Sequence, residues 1–231
     1  MSKGIFITGT DTGVGKTYIA TGLIRAMRHK GIRVCPMKPV ETGCTARRGQ
    51  LVPSDSIALM KASGADESVD AINPCRLRLP LAPSVAAEIE GVPVKPGKML
   101  SSYRRLLARY DIIVVEGAGG IMVPLWKDYI FLDLVRDMQV PLIVVSRPGL
   151  GTINHTLLTI ESARNRGIDV IGVIFNYTWK VKKGFAEKTN PHVIEKLGGT
   201  PVFGEVPYGA LSSTRDNKLF NNLAEKIMAK L

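Results

Sequence analysis

The sequence predicts one doubly wound α/β domain over residues 1–231, a mainly parallel sheet covered by helices on both faces. Three observations carry that prediction. Short apolar, β-branched runs alternate with longer amphipathic stretches, with no repeat, low-complexity tract or linker between them. Apolar residues make up 45% of the chain and aromatic ones only 6%, which suits an aliphatic sheet buried on both faces. Finally, a glycine-rich turn separates the first apolar run from the first helix, the strand–loop–helix context of a phosphate-binding loop.

Residues 4–8 read as the first strand and 9–17, GTDTGVGKT, as the loop. Glycines let successive N–H groups of such a loop turn toward phosphate oxygens, and the following helix adds the positive end of its dipole. Lys16 can reach the β- and γ-phosphates, and the Thr17 hydroxyl can ligate Mg2+. The strict pattern puts four residues between its glycines. Here Thr10 stands where the first glycine belongs and Gly9 comes one position earlier, so the loop is an extended variant. The first helix follows with Ile19, Leu23, Ile24 and Met27 on one face and ends at Gly31. Residues 32–37 read as strand two and the polar stretch 38–53 as a functional loop. Ser54 is expected to cap a helix carrying Ile57, Leu59 and Met60.

Residues 70–83 are irregular, and short helices are expected at 84–90 and 97–108. Residues 111–115 form a buried strand that ends in Glu116 and a glycine cluster. Three further strands lie at 142–146, 170–175 and 202–206. Helices intervene at 152–165, with Ile153, Leu157 and Ile160 on one face, and at 191–197. A last helix covers 216–231, with Leu219, Leu223 and Ile227 inward. In such sheets ligands gather at the carboxyl ends of the strands. That rule singles out the phosphate loop, the segment beginning at Lys38, and Glu116. An acid that ends an apolar strand beside a triphosphate serves Mg2+, directly or through water.

The net charge is +11, yet no Lys/Arg run exceeds two residues and the pattern lacks the interleaved aromatics of a stacking platform. A basic surface suited to polyanionic substrates is expected, with no nucleic-acid partner. No apolar run approaches the length that spans a bilayer. The first strand follows residues 1–3 directly, which leaves no room for a signal peptide. Cys35, Cys44 and Cys75 have neither metal spacing nor an even disulfide count, so a cytoplasmic protein without membrane contact is expected. His29, His155 and His192 are isolated and read as packing or surface residues. Cys44 reads as a small filler near the substrate loop.

The segments GTDTGVGKT, MKPVETG, PSDSIAL, VEGAGGIMVPL, GLGTINH and GEVP, in this order and spacing, resemble those of the dethiobiotin synthetases, the ATP-dependent enzymes of biotin synthesis. The resemblance covers residues 1 to about 212. It implies a reaction of 7,8-diaminononanoate, CO2 and ATP. A carbamate forms on the 7-amino group, ATP phosphorylates it, and the 8-amino group closes a cyclic urea with release of phosphate. It also implies roles for residues. Lys38 matches the catalytic lysine, working with Thr12 and Lys16. The nucleotide would be held by Asp11, Thr12, Gly13, Val14, Gly15, Lys16 and Thr17, by Glu116, Gly117, Ala118 and Gly119, and by Asn176, Glu205, Val206 and Pro207 around the purine. Thr17, Asp55 and Glu116 match the Mg2+ ligands. Thr42 and Gly119 would touch the diamine. Gly149, Leu150, Gly151, Thr152 and Asn154 match a segment that holds the substrate carboxylate across a homodimer interface. Two features depart from the family pattern near the purine pocket: Tyr177 after Asn176, and the basic stretch 178–184.

Two other functions share the loop. One is a related amidoligase-type kinase acting on another acid, which the substrate loops would decide. The other is a nucleotide switch of the partition and cell-division type. Those proteins carry a second lysine early in the phosphate loop, where this chain has Thr10, Asp11 and Thr12.

Overall fold

In the computed structural model, which describes residues 3–212 and 214–231 and the side chains of these other than 212–217, a six-stranded sheet forms the centre. The chain runs β1 (Lys3–Gly9), α1 (Lys16–His29), β2 (Val34–Met37), a hairpin of β3 (Thr45–Arg47) and β4 (Gln50–Val52), α2 (Ser54–Ser63), α3 (Val69–Ile72), α4 (Pro83–Glu90) and α5 (Pro96–Leu107). It continues through β5 (Ile112–Gly120), a hairpin of β6 (Pro124–Trp126) and β7 (Tyr129–Ile130), α6 (Phe131–Met138), β8 (Leu142–Ser146), α7 (Thr152–Arg164), β9 (Val170–Asn176), α8 (Phe185–Gly198), β10 (Val202–Val206) and α9 (Thr214–Met228). The sheet order is β10-β9-β8-β1-β5-β2, and every pairing in it is parallel. The chain winds outward from β1 in both directions, which leaves a crevice above β1 where the order reverses.

Strand alternation divides the interior in two. Ile5 and Ile7 of β1, Val34 of β2, and Ile112 and Val114 of β5 face α1, α2 and α9. Phe6, Cys35, Met37, Ile113 and Val115 face the opposite layer, built by α5, α6, α7 and α8. There Phe6 meets Phe131 edge to face, with ring centroids 6.1 Å apart. The same period decides where two polar side chains go. Glu116 follows Val114 by two, and Lys38 follows Val34 by four, so both emerge on the face that carries the first turns of α1 and α2.

Several elements differ from the sequence expectation, each for a physical reason. The stretch 38–53, expected as loop throughout, contains the β3–β4 hairpin, turned by Arg48 and Gly49 at positive φ. Ser54 does not cap α2: Pro53 occupies the cap position without a side-chain bond, and a distant carboxylate takes its place. Strand β5 does not stop before Glu116 but continues to Gly120, pairing Ile7 with Glu116 and Gly9 with Gly120. The β6–β7 hairpin and α6 were not expected from sequence: strands of three and two residues are too short to show a period, and the helical spacing of Phe131, Leu132, Leu134, Val135 and Met138 went unassigned. Helix α8 begins at Phe185, six residues before Pro191, because Glu187 accepts from the Gly184 N–H and closes a first turn upstream of the proline. On α7 the buried face is Thr152, Thr156, Thr159, Ile160 and Ala163, not an Ile153–Leu157–Ile160 stripe. Hydroxyl bonds from Ser146 to Thr152 (2.6 Å) and Thr156 (2.9 Å) make that polar face compatible with burial. The leading Met1 and Ser2 lie outside the described residues. Among the described residues, no helix is long and apolar enough to cross a membrane.

Helices α1 and α9 touch where α1 has no side chain. A Cβ built on Gly22 would stand 2.1–2.4 Å from three atoms of the Phe220 ring. Alanine gains up to about 1 kcal/mol over glycine inside a helix, whereas overpacking a core costs about 1–3 kcal/mol. The second effect wins because the obstacle is a buried aromatic ring. Gly22→Ala is therefore expected to lower stability by about 1–2 kcal/mol, read as a lower urea midpoint. Adding Phe220→Leu should recover part of that loss. A Gly22→Ala protein as stable as the native one would show that α1 and α9 are not held at this distance.

Candidate active site

The loop after β1 rises over the crevice and hands the chain to α1. Gly15, at φ 86°, is the residue before α1, and a Cβ there would meet Asn176 Nδ2 at 2.1 Å. Glycine is required by both the left-handed backbone and the close approach. Asn176, at the end of β9, donates from Nδ2 to the Val14 carbonyl at 2.8 Å and so fixes the loop from below. Its Oδ1 is buried without a partner. Asp11 closes the outer turn by accepting from the Thr12 N–H at 2.7 Å. Lys16, mostly buried, donates to the Asp11 carbonyl at 3.2 Å. Burial, followed by the neighbouring Lys38 ammonium, lowers its pKa from the usual 10.5 to about 8. A polyanion in the loop would reverse that effect.

Beside the loop lies a buried cluster of charge. Lys38, at the end of β2, donates from Nζ to Glu116 Oε1 at 2.7 Å and to the Gly117 carbonyl at 3.3 Å, and lies 3.1 Å from Asp55 Oδ2. Thr17 donates its hydroxyl to the same Glu116 Oε1 at 2.7 Å. Burial alone would discharge Lys38, but the Glu116 and Asp55 carboxylates outweigh it and hold the ammonium above the ordinary lysine range. Glu116, fully buried, is pushed upward by burial, which the Lys38 charge only partly offsets. Its Oε2 is buried and has no hydrogen-bond partner. A free carboxylate oxygen, a threonine hydroxyl and a second carboxylate form an all-oxygen donor set beside a phosphate loop, which fits Mg2+.

These groups open into a cleft of about 700 Å3. Its walls include Thr12, Gly13, Gly15, Lys16, Thr17, Lys38, Thr42, Asp55, Glu116, Ala118 and Gly119, together with Glu41, the 80–83 turn and Val123. Eleven residues singled out by sequence thus meet at one opening. A larger cavity of about 880 Å3, behind the β3–β4 hairpin, contains none of them.

The other expected residues lie elsewhere. Val206 pairs with Asn176 across β9 and β10, and its carbonyl accepts from the Tyr177 N–H at 2.9 Å. Pro207 follows as the chain leaves the sheet. Glu205 turns to Tyr177, whose hydroxyl donates to it at 2.7 Å, and to Lys183 at 2.5 Å. The two departures from the family pattern therefore meet in one small network, with Lys183 also 5.4 Å from the centre of the Tyr177 ring. Gly149, Leu150, Gly151, Thr152 and Asn154 form the entry to α7 and do not line the cleft. Leu150 is 90% exposed, Asn154 is exposed, and the Thr152 hydroxyl points inward to Ser146. Cys44 is buried against the Glu41 carbonyl, and its thiol is raised to about 11 by burial, which makes it inert. Sequence reasoning gave no role to Glu41, whose carboxylate binds the first turn of α2. An acid within a strand-end loop was the only signal.

A family profile described as an AAA domain matches residues 3–215. The chain is 45% identical over 215 residues to the ATP-dependent dethiobiotin synthetase BioD of Thermodesulfovibrio yellowstonii, covering 90% of each. It is 41% identical over 206 residues to the enzyme of the same name from Methanocaldococcus jannaschii, covering 87% of this chain and 92% of that one. For the Bacillus subtilis enzyme the identity is 40% over 205 residues, with 89% and 87% covered. Among solved structures, the septum site-determining protein MinD of Pyrococcus horikoshii superposes with a TM-score of 0.64 at 16% identity, covering 98% of this chain and 96% of that one. The MinC:MinD complex of Aquifex aeolicus gives 0.61 at 15%, covering 99% and 96%. Identities this low establish a shared fold, whereas those to the synthetases extend over the substrate loops as well as the phosphate loop. The chain belongs to the ATP-dependent dethiobiotin synthetase family.

Proposed function

We propose that this chain closes the cyclic urea of dethiobiotin in the 700 Å3 cleft, using 7,8-diaminononanoate, CO2 and ATP. The observation that carries the reading is the pairing of a second buried lysine, Lys38, with Glu116 and Asp55 beside the phosphate loop. A simple nucleotide site needs only Lys16. Moving a phosphoryl group onto a carbamate joins two anions, and that needs a further cation facing the acceptor.

In this mechanism the loop amides and Lys16 hold the β- and γ-phosphates, and Thr12 and Lys38 orient the carbamate of the 7-amino group. A carbamate oxygen attacks the γ-phosphorus as the bond to the ADP oxygen breaks. The 8-amino nitrogen then attacks the carbamoyl carbon, loses its proton and expels phosphate. The substrate amine is the nucleophile, so the protein needs none. Thr17, Asp55 and Glu116 would hold Mg2+, which neutralises charge on the phosphate oxygens. Asn176, Glu205, Val206 and Pro207 border the base. The free Oδ1 of Asn176 supports an exocyclic amino group there.

The chain acts as one domain and as a homodimer, in the cytoplasm. A dimer is supported by apolar side chains exposed on one side of α4, Val85 and Ile89, by Leu81 in the turn before it, and by Met122 and Leu150. The entry to α7 has no acid in its first turn and no side-chain cap, which supports a substrate carboxylate bound there from the partner's cleft.

Lys38→Ala is expected to keep MgATP affinity while dethiobiotin formation, followed by mass spectrometry, falls on the order of a hundred- to a thousand-fold, about 3–4 kcal/mol of transition-state stabilisation. Removing Lys38 also leaves Glu116 buried without its counter-ion, which costs about 3–5 kcal/mol of stability, so the variant should melt below the native protein while MgATP, bound with the same affinity, stabilises both by the same amount. Product at close to the native rate would make Lys38 an ordinary structural lysine. Glu116→Gln should raise the Mg2+ concentration for half-maximal activity, and an unchanged Mg2+ dependence would remove Glu116 from the metal site. Sedimentation should give a dimer, with Asn154→Ala raising KM for the diamine more than for ATP. A fully active monomer would sink the shared-site reading.

A further inference from the structure

Glu41 is 4% exposed, yet its carboxylate lines the phosphate cleft only at the edge and has no part in the chemistry above. Its oxygens are fully engaged. Oε1 accepts from the Asp55 N–H at 2.9 Å, and Oε2 accepts from the Ser56 N–H at 3.0 Å and the Ser56 hydroxyl at 2.6 Å. Those two amides are the ones a local N-cap side chain would satisfy, and α2 has none because proline precedes it. The cap therefore comes from fourteen residues upstream, on the loop that leaves β2.

That loop is itself immobilised. The Glu41 N–H donates to the Cys75 carbonyl at 3.0 Å, and the Glu41 carbonyl accepts from the Leu77 N–H at 2.9 Å. The Lys38 carbonyl accepts from Asn73 Nδ2 at 2.8 Å. Lys38 and Glu41 thus sit on one tied segment, while Asp55 and Ser56 sit on one helix turn. Four contacts join them: Lys38 Nζ to Asp55 Oδ2 at 3.1 Å, Glu41 Oε1 to the Asp55 amide, and Glu41 Oε2 to the Ser56 amide and hydroxyl. Together they close a ring that fixes the backbone of Asp55 from one side and its carboxylate from the other. Without the Glu41 bonds, the polar link from the first turn of α2 to the loop after β2 would rest on the Lys38 contact to a carboxylate that is 41% exposed.

We propose that Glu41 is a positioning residue: by capping α2 it sets Asp55 against Lys38 and holds that carboxylate at the metal side of the cleft. This rests on the reading of Asp55 as a Mg2+ ligand, and it adds a residue for which neither the resemblance nor the cleft chemistry supplies a role. An outer partner that orients a ligand typically contributes ten- to a hundred-fold in metal affinity.

The test uses Mn2+ as the probe, its binding to the full chain with ATP present followed by the loss of the free-ion paramagnetic resonance signal. Glu41→Ala and Asp55→Asn should each weaken Mn2+ by about ten- to a hundred-fold. Glu41→Gln should have a smaller effect, since its oxygen can still accept from Ser56 while its amide faces the Asp55 N–H. The double variant Glu41→Ala with Asp55→Asn should bind Mn2+ no more weakly than Asp55→Asn alone, because both changes remove one ligand. Calorimetric melting of each variant, without metal or nucleotide, identifies a temperature at which all are folded. Should Glu41→Ala not fold, the same comparison is made with Glu41→Gln and its double variant. A lower melting temperature with native Mn2+ affinity would make Glu41 a structural cap only and overturn the proposal. Full additivity in the double variant would overturn it as well. If Asp55→Asn itself leaves Mn2+ binding untouched, the metal role of Asp55 fails, and the proposal fails with it for that separate reason.

Discussion

The buried contact between Lys38 and Glu116 constrains everything around it. A carboxylate with no solvent exposure and an ammonium at 4% are tolerated only when each is paired and hydrogen-bonded, because an isolated ion in the interior costs several kcal/mol. Glu116 Oε1 meets that demand with Lys38 and Thr17, and Lys38 adds the Gly117 carbonyl and Asp55. The pair thereby ties the end of β2 and the middle of β5 to the first turns of α1 and α2. One carboxylate oxygen, Oε2, is left over. Burial without a partner is expensive for a carboxylate oxygen, and a divalent cation removes that cost when it binds.

The same arrangement explains why the cleft suits phosphoryl transfer between anions. Burial, and then the nearby Lys38 ammonium, lower the Lys16 pKa to about 8, so Lys16 is the more easily discharged of the two lysines. Glu116 and Asp55 keep Lys38 charged. A polyanionic nucleotide favours the charged form of Lys16, so charge is arranged before the chemistry and little reorganisation remains for the transition state. The glycines of the loop and of the end of β5 leave room for that ligand, while Asn176 holds the loop backbone from beneath.

Members of this fold carry very different activities, and the phosphate loop alone does not separate them. What distinguishes this chain lies on the opposite wall: the loop from Lys38 to Gly43, the start of α2 and the 80–83 turn. The network of Tyr177, Glu205 and Lys183 stands apart from the reacting groups, at the ends of β9 and β10.

The sequence by itself determined the layered fold and most of the cleft. Alternation along β1, β2 and β5 is a local property, so it put Lys38 just past β2 and Glu116 on the cleft side of its strand, although that strand runs on to Gly120, and the glycine loop marked where phosphate belongs. The short strand 202–206 was legible to the residue, because Pro201 and Pro207 bound it on either side. Tertiary structure decided what depends on partners distant in the chain. Ser54 looked like a cap, but the α2 amides are taken by Glu41, which satisfies them with a full charge. Leu157 and Ile153 looked like the inner face of α7, but Ser146 offers hydroxyl partners that make threonines the buried side. Hairpin β6–β7 was hidden because strands of three and two residues are too short to show a period, whereas helix α6 carries a helical one, with Phe131, Leu132, Leu134, Val135 and Met138 inward and Phe131 against Phe6, and was legible but not assigned. A hydrogen bond or a ring contact across tens of residues leaves no periodic trace in a single chain, and those contacts chose among the local possibilities.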